Sequence, residues 1–150
     1  MKRALISTFT AGLIALSSTI PSQAHITMAN DQMRAGYQEL VTMLVPHGCG
    51  PEPTTEIRIK IPPEVPIAMP EEKPGWETKT VMRKLDEPIP MEGGIAMITE
   101  VVDEFVWSGG NLPVDKVGTF SFIARMPNTP GSVVFFKTIQ TCGEVSERWI

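Results

Sequence analysis

The sequence has 150 residues, with 13 Lys and Arg against 17 Asp and Glu. A chain of that length suits one domain with its own core. Its acidic balance argues against nucleic acid or an anionic lipid surface as partners.

The chain opens like a secretory signal peptide. Lys2 and Arg3 form a short positive segment, and a mostly apolar run from Ala4 to Ile20 follows. Pro21 breaks the run, and Ser22 and Ala24 occupy the small-residue positions of a signal peptidase site. A membrane anchor is the weaker reading, because six Ser and Thr interrupt a run already short of the ~20 apolar residues a span needs. Cleavage after Ala24 leaves 126 residues, His25 as the new N-terminus, and a net charge near −6 once Lys2 and Arg3 are gone. Export also bears on Cys49 and Cys142, the only two cysteines. An oxidising compartment favours a disulfide between them over two free thiols or a metal pair.

Prolines and glycines punctuate the rest at short intervals, as in a chain of many short strands. Residues 25–28 read as a first strand, 30–36 as a polar loop ending in "AG", and 37–45 ("YQELVTMLV") as a longer strand stopped by Pro46. "PHGCGPEP" is a rigid loop. "TEIRIKI" (55–61) alternates strictly, which sends Ile57, Ile59 and Ile61 inward. Residues 65–75 are proline-rich and expected to be irregular. Further strands are expected over 76–85, 96–107, 118–126, 132–141 and 145–150, with 88–94 a turn, 108–113 a loop and 128–131 a turn. Seven to eight short strands predict an all-β, antiparallel β-sandwich.

Most enzyme signatures are missing: there is no Gly-x-Ser-x-Gly, no phosphate-binding glycine loop and no Cys-x-x-Cys. With His25 and His47 as the only histidines, a multi-histidine zinc site cannot be built. The new N-terminus does carry chemistry. A terminal histidine offers its α-amine and ring Nδ1 to one ion in a six-membered chelate. The amine has a pKa of ~7.7–8, so a metal displaces its proton near neutral pH. Two nitrogens with a carboxylate suit Cu(II), which heads the affinity order of divalent first-row ions. A symmetric hairpin centred near Gln32 would set His25 across from Glu39, the only acid in "YQELVTMLV". Asp31 is a competing carboxylate, read as a turn residue. His47 reads as a loop histidine packed near the disulfide, with a second copper ligand as the alternative. Trp76 and Trp107 read as core or corner aromatics. The eight methionines after residue 24 are scattered without Met-x-Met or Met-x-x-Met pairs, and read as core filler rather than as soft Cu(I) ligands.

These features occur in a specific order: a mature end at His25, "AG" at 35–36, Glu39 fourteen residues after the histidine, "PTTEIRIKIP", "PGW", "WSGGNLP" and a late Trp in "SERWI". In that order the chain resembles the YcnI family of copper-binding bacterial exported proteins over nearly all of residues 25–150. "VPHGC" with a late cysteine resembles the variant common in proteobacteria. The resemblance implies an immunoglobulin-like sandwich and a single-histidine brace. In that brace the amine and ring of His25 bind Cu(II) and the carboxylate of Glu39 completes the site. Trp149 lies nearby, as a cation–π or shielding contact or a redox buffer. Relatives are expected to run on past this tryptophan.

The expectation is therefore a periplasmic copper carrier or buffer in copper homeostasis, not an enzyme. Its expected partners are a membrane copper transporter or another periplasmic copper carrier. Two other classes compete: a copper oxidase or monooxygenase using His47 as a second ligand, and a sandwich that binds another protein without metal.

Overall fold

The structure is a computed structural model that describes residues 25–91 and 93–149. The expected leader, residues 1–24, lies outside the described residues. The described residues form nine strands: β1 (Thr27–Met28), β2 (Gln38–Val45), β3 (Thr54–Lys60), β4 (Ala68–Pro70), β5 (Glu77–Pro90), β6 (Met97–Leu112), β7 (Gly118–Arg125), β8 (Thr138–Cys142) and β9 (Val145–Trp149). They form two antiparallel sheets, one in the order β1-β2-β7-β4 and the other β5-β6-β3-β8-β9. The all-β sandwich expected from the sequence is what the chain forms.

Alternation in the strands supplies the core. Ile57 and Ile59 on β3 are fully buried, as are Val41 and Val45 on β2 and Phe122 and Ala124 on β7. Each strand turns one face inward because successive side chains point to opposite sides. The centre is aromatic: Phe105, Trp107, Phe120, Phe122 and Phe136 meet edge-on or tilted, with centroids 5.1–5.9 Å apart. The indole N–H of buried Trp107 donates to the Glu71 carbonyl at 2.9 Å. Trp76 packs on the edge of this cluster, 5.0 Å from Phe120. Both tryptophans are thus core aromatics, as expected.

Four segments differ from the sequence reading. Residues 88–90, expected to open a turn, belong to β5, where Ile89 pairs with Ile98 and Pro90 with Met97. Residues 108–112, expected to be a loop, belong to β6, because Glu77 on one side and Thr54 on the other supply ladder partners to Ser108 and Leu112. The proline-rich segment contributes a three-residue edge strand, β4, on β7. Residues 132–137, expected to be strand, are not. Ile59 pairs with Thr138 and Lys60 N–H still donates to the Lys137 carbonyl at 2.9 Å, but two places further the same register sets Pro62 and Pro63 opposite residues 135 and 134. Those prolines have no N–H to donate, and the ladder stops.

Cys49 and Cys142 form a disulfide across a sequence separation of 93, with both residues buried. It ties the loop after β2 to the turn between β8 and β9.

Candidate metal centre

Two edge strands meet at one side of the sandwich. β1 is the edge of the four-stranded sheet and β9 the edge of the five-stranded one. His25 leads into β1 and Trp149 ends β9, and their rings approach across the gap at 5.3 Å in an edge-on arrangement. Both line a cavity of about 280 Å³ together with Met43, Phe136 and Lys137. His25 itself is exposed. The tryptophan anticipated near the histidine is therefore in contact with it.

The ring of Trp149 is aimed by a residue that the sequence reading did not single out. Gln140 on β8 is 1% exposed. Its carbonyl accepts the indole N–H of Trp149 at 3.3 Å, while its amide donates to the His47 carbonyl and to Thr54 Oγ1, each at 2.7 Å. Both amide hydrogens and the oxygen are thereby used. One buried side chain thus joins β9, the loop after β2 and the start of β3. A glutamine at an inward position of "TIQTC" was the available signal, since an uncharged amide is buried only when its hydrogen bonds are met.

His47 sits in that loop, half-buried. Its Nδ1 hydrogen-bonds the Gly48 carbonyl, and its Nε2 is buried with no partner among the described residues. The loop doubles back tightly: Cys49 N–H donates to the Glu52 carbonyl at 3.0 Å. A Cβ on Gly48 would stand 2.0 Å from the Glu52 carbonyl oxygen, so the "HGC" triplet accepts only glycine at its centre. His47 thus lies half-buried in this tight loop, two residues before the disulfide-bonded Cys49.

The expected facing of His25 and Glu39 is not present. Thr27 pairs with Leu44 and Met28 with Met43, and Ala29 N–H donates to the Thr42 carbonyl in the same register. Continued by two residues, this register sets His25 level with Pro46, seven residues from Glu39, or roughly 23 Å at the usual rise per strand residue. The reason is the turn. It falls at Arg34–Tyr37, where Tyr37 N–H donates to the Arg34 carbonyl at 3.3 Å and Gly36 takes a φ of 76°. A glycine with positive φ in the third place is what a type II turn requires. The hairpin is therefore centred on "AG", not on Gln32.

Glu39 has another partner. Arg34 reaches across the turn and donates from Nε to its carboxylate at 2.6 Å, while the guanidinium lies 4.8 Å from the Tyr37 ring. No carboxylate lines the His25 cavity among its described residues, where Lys137 is the charged neighbour. Nor do three His, Cys, Asp or Glu gather as a metal cluster anywhere among the described residues. What the described residues show at His25 is an exposed imidazole with an indole beside it. A free amine at residue 25 would add a second nitrogen within chelating reach, and imidazole and amine donors fit copper's preference.

A family model described as a domain of unknown function, DUF1775, matches residues 25–150. The chain is 28% identical over 110 residues to the copper-binding protein CutI of Bacillus subtilis (strain 168), a match covering 73% of this chain and 47% of that protein. It thus spans about half the length of this curated relative. Among solved structures it is similar to an uncharacterized protein from Nocardia farcinica with an immunoglobulin-like fold. That likeness has a TM-score of 0.62 and 22% identity, and covers 84% of this chain and 83% of the other. It shows the fold.

Proposed function

This chain belongs to the DUF1775 family, the YcnI-like family that its sequence resembles, and from that premise we propose that it binds copper outside the cytoplasm and passes it on. The contact between His25 and Trp149 at an open edge carries this reading. Cleavage after Ala24 would free the His25 amine, and amine and ring Nδ1 would hold Cu(II) as a two-nitrogen chelate. The indole beside it shields the ion or meets it through its π face. The family match beginning at residue 25 and the relative's description as copper-binding both support this reading.

Carriage fits the site better than catalysis. An exposed chelate leaves coordination positions for an acceptor's ligands, and the Nε2 of His47, buried and outside the His25 cavity, is poorly placed to make a two-histidine oxidase site. The acceptor would be a membrane copper transporter or another copper carrier of the periplasm.

Cu(II) titration followed by electron paramagnetic resonance tests this on three proteins: the chain starting at His25, the same chain with one extra N-terminal residue, and Glu39→Ala. The extra residue converts the amine into an amide and is expected to weaken uptake by orders of magnitude. Glu39→Ala is expected to bind as the parent does, because Arg34 holds Glu39 at the far end of β2. Equal, tight binding by the parent and the extended chain would sink the chelate.

A further inference from the structure

Three of the eight methionines after residue 24, scattered along the sequence, share one cavity in the fold. Met69, Met82, Met91 and Met97 lie on the surface, between 49% and 61% exposed. Met43 is buried and lines the His25 cavity. The other three, Met28, Met33 and Met126, line one larger cavity of about 490 Å³ beside β1. They come from three separate places: Met28 from β1, Met33 from the segment before the Arg34–Tyr37 turn, and Met126 from the end of β7. The segment between β1 and the Arg34–Tyr37 turn brings Met33 to the same cavity as Met28.

The rest of that lining bears on what it can hold. Asp31 is the one charged side chain among the described residues of the cavity, and no cation faces it there. Phe135 and Phe136 form a wall shared with the His25 cavity. Met126 is 6% exposed and belongs to the core, while Met28 and Met33 are half-buried against it, and all three also line the cavity. A methionine side chain is flexible enough to turn its sulfur into such a space.

We propose that Met28, Met33 and Met126 form a thioether site for a soft monovalent d¹⁰ cation, Cu(I) or its redox-inert analogue Ag(I), distinct from the nitrogen chelate at His25. Thioether sulfur is the protein donor that selects Cu(I) over harder ions. Three such donors complete a trigonal set, and the single carboxylate of Asp31 balances the single positive charge. A nitrogen end suited to Cu(II) and a sulfur end suited to Cu(I) thus lie on either side of Phe135 and Phe136. The sulfur site uses none of the His25 nitrogens, so the two stand or fall separately.

Silver titration of the protein carrying ¹³C-labelled methionine methyls tests the site. One equivalent of Ag(I) is expected to shift three methyl resonances, assigned to Met28, Met33 and Met126 by leucine substitution, and to leave those of Met69, Met82, Met91 and Met97 in place. Met28→Leu and Met33→Leu keep volume and apolarity, so the fold persists. Each is expected to weaken Ag(I) binding about tenfold or more, as loss of a donor does. Met82→Leu is expected to change nothing. The chain with an extra N-terminal residue, crippled for Cu(II), is expected to bind Ag(I) as the parent does. Unchanged affinity in the Met28→Leu/Met33→Leu double variant would overturn the site. So would silver binding that disappears with the N-terminal extension, because the ion would then sit on His25.

Discussion

The two ends of β2 differ in how they are held, and each carries a candidate ligand. Beyond Val45 the chain enters a loop locked by the Cys49–Cys142 disulfide and by the buried amide of Gln140. At the other end, Glu39 is held by Arg34, whose side chain is 71% exposed. A cross-link and a desolvated hydrogen-bond network are worth several kcal/mol, whereas an exposed ion pair is worth ~0–1 kcal/mol. The well-held end is the one that aims Trp149 at His25. Keeping an aromatic face against an exposed residue such as His25 takes a rigid backing, and the sandwich supplies it at this end of β2.

Breaking the locked end has the largest expected effect. Replacing Cys49 and Cys142 together by Ala releases a loop of 93 residues' separation. On chain-entropy grounds this lowers stability by about 4–5 kcal/mol, read as a fall in the denaturation midpoint, with a steeper slope because the released unfolded chain exposes more surface. A smaller effect, about 2–3 kcal/mol, is expected for Gln140→Leu. That substitution strands the Trp149 indole N–H, the Thr54 hydroxyl and the His47 carbonyl together. It should also red-shift the Trp149 fluorescence that remains after Trp76 and Trp107 are subtracted, because the ring loses its tether. The smallest effect belongs to the other end. Arg34→Ala removes an exposed partner from Glu39 and is expected to change stability by less than about 1 kcal/mol. It should leave Cu(II) uptake unaltered. A marked loss of copper binding in Arg34→Ala would erase the contrast between the ends.

The resemblance and the strand alternation made much of the fold legible. Ile57, Ile59 and Ile61 in "TEIRIKI", and Phe120, Phe122 and Ala124 in "GTFSFIARM", are buried as their period-two pattern requires. The disulfide was expected from there being two cysteines in a chain whose first residues read as an export signal. The site was legible by identity but not by arrangement. His25 and Trp149 stand out as residues, and they do meet. Glu39 also stands out, as a lone acid in an apolar strand, but its position depends on where the hairpin turns. A shift of the turn from Gln32 to Ala35–Gly36 moves every cross-strand partner by seven positions in the pairing. Gly36 could have been weighted more heavily, because a glycine is the residue that a positive-φ turn position selects.

The sequence by itself determined the periodic faces, the places where proline and glycine end a strand, the single disulfide and the residues available for chemistry. These are local properties, fixed by backbone sterics, side-chain alternation and a count of functional groups. Only the tertiary structure decided the register of β1 on β2, the loss of strand at residues 132–137 opposite Pro62 and Pro63, the burial of Gln140 behind Trp149, and the gathering of Met28, Met33 and Met126. Each of these depends on which groups face one another after the sheets pack. Hydrogen-bond partners and cavity walls come from distant parts of the chain, where no spacing in the sequence records them.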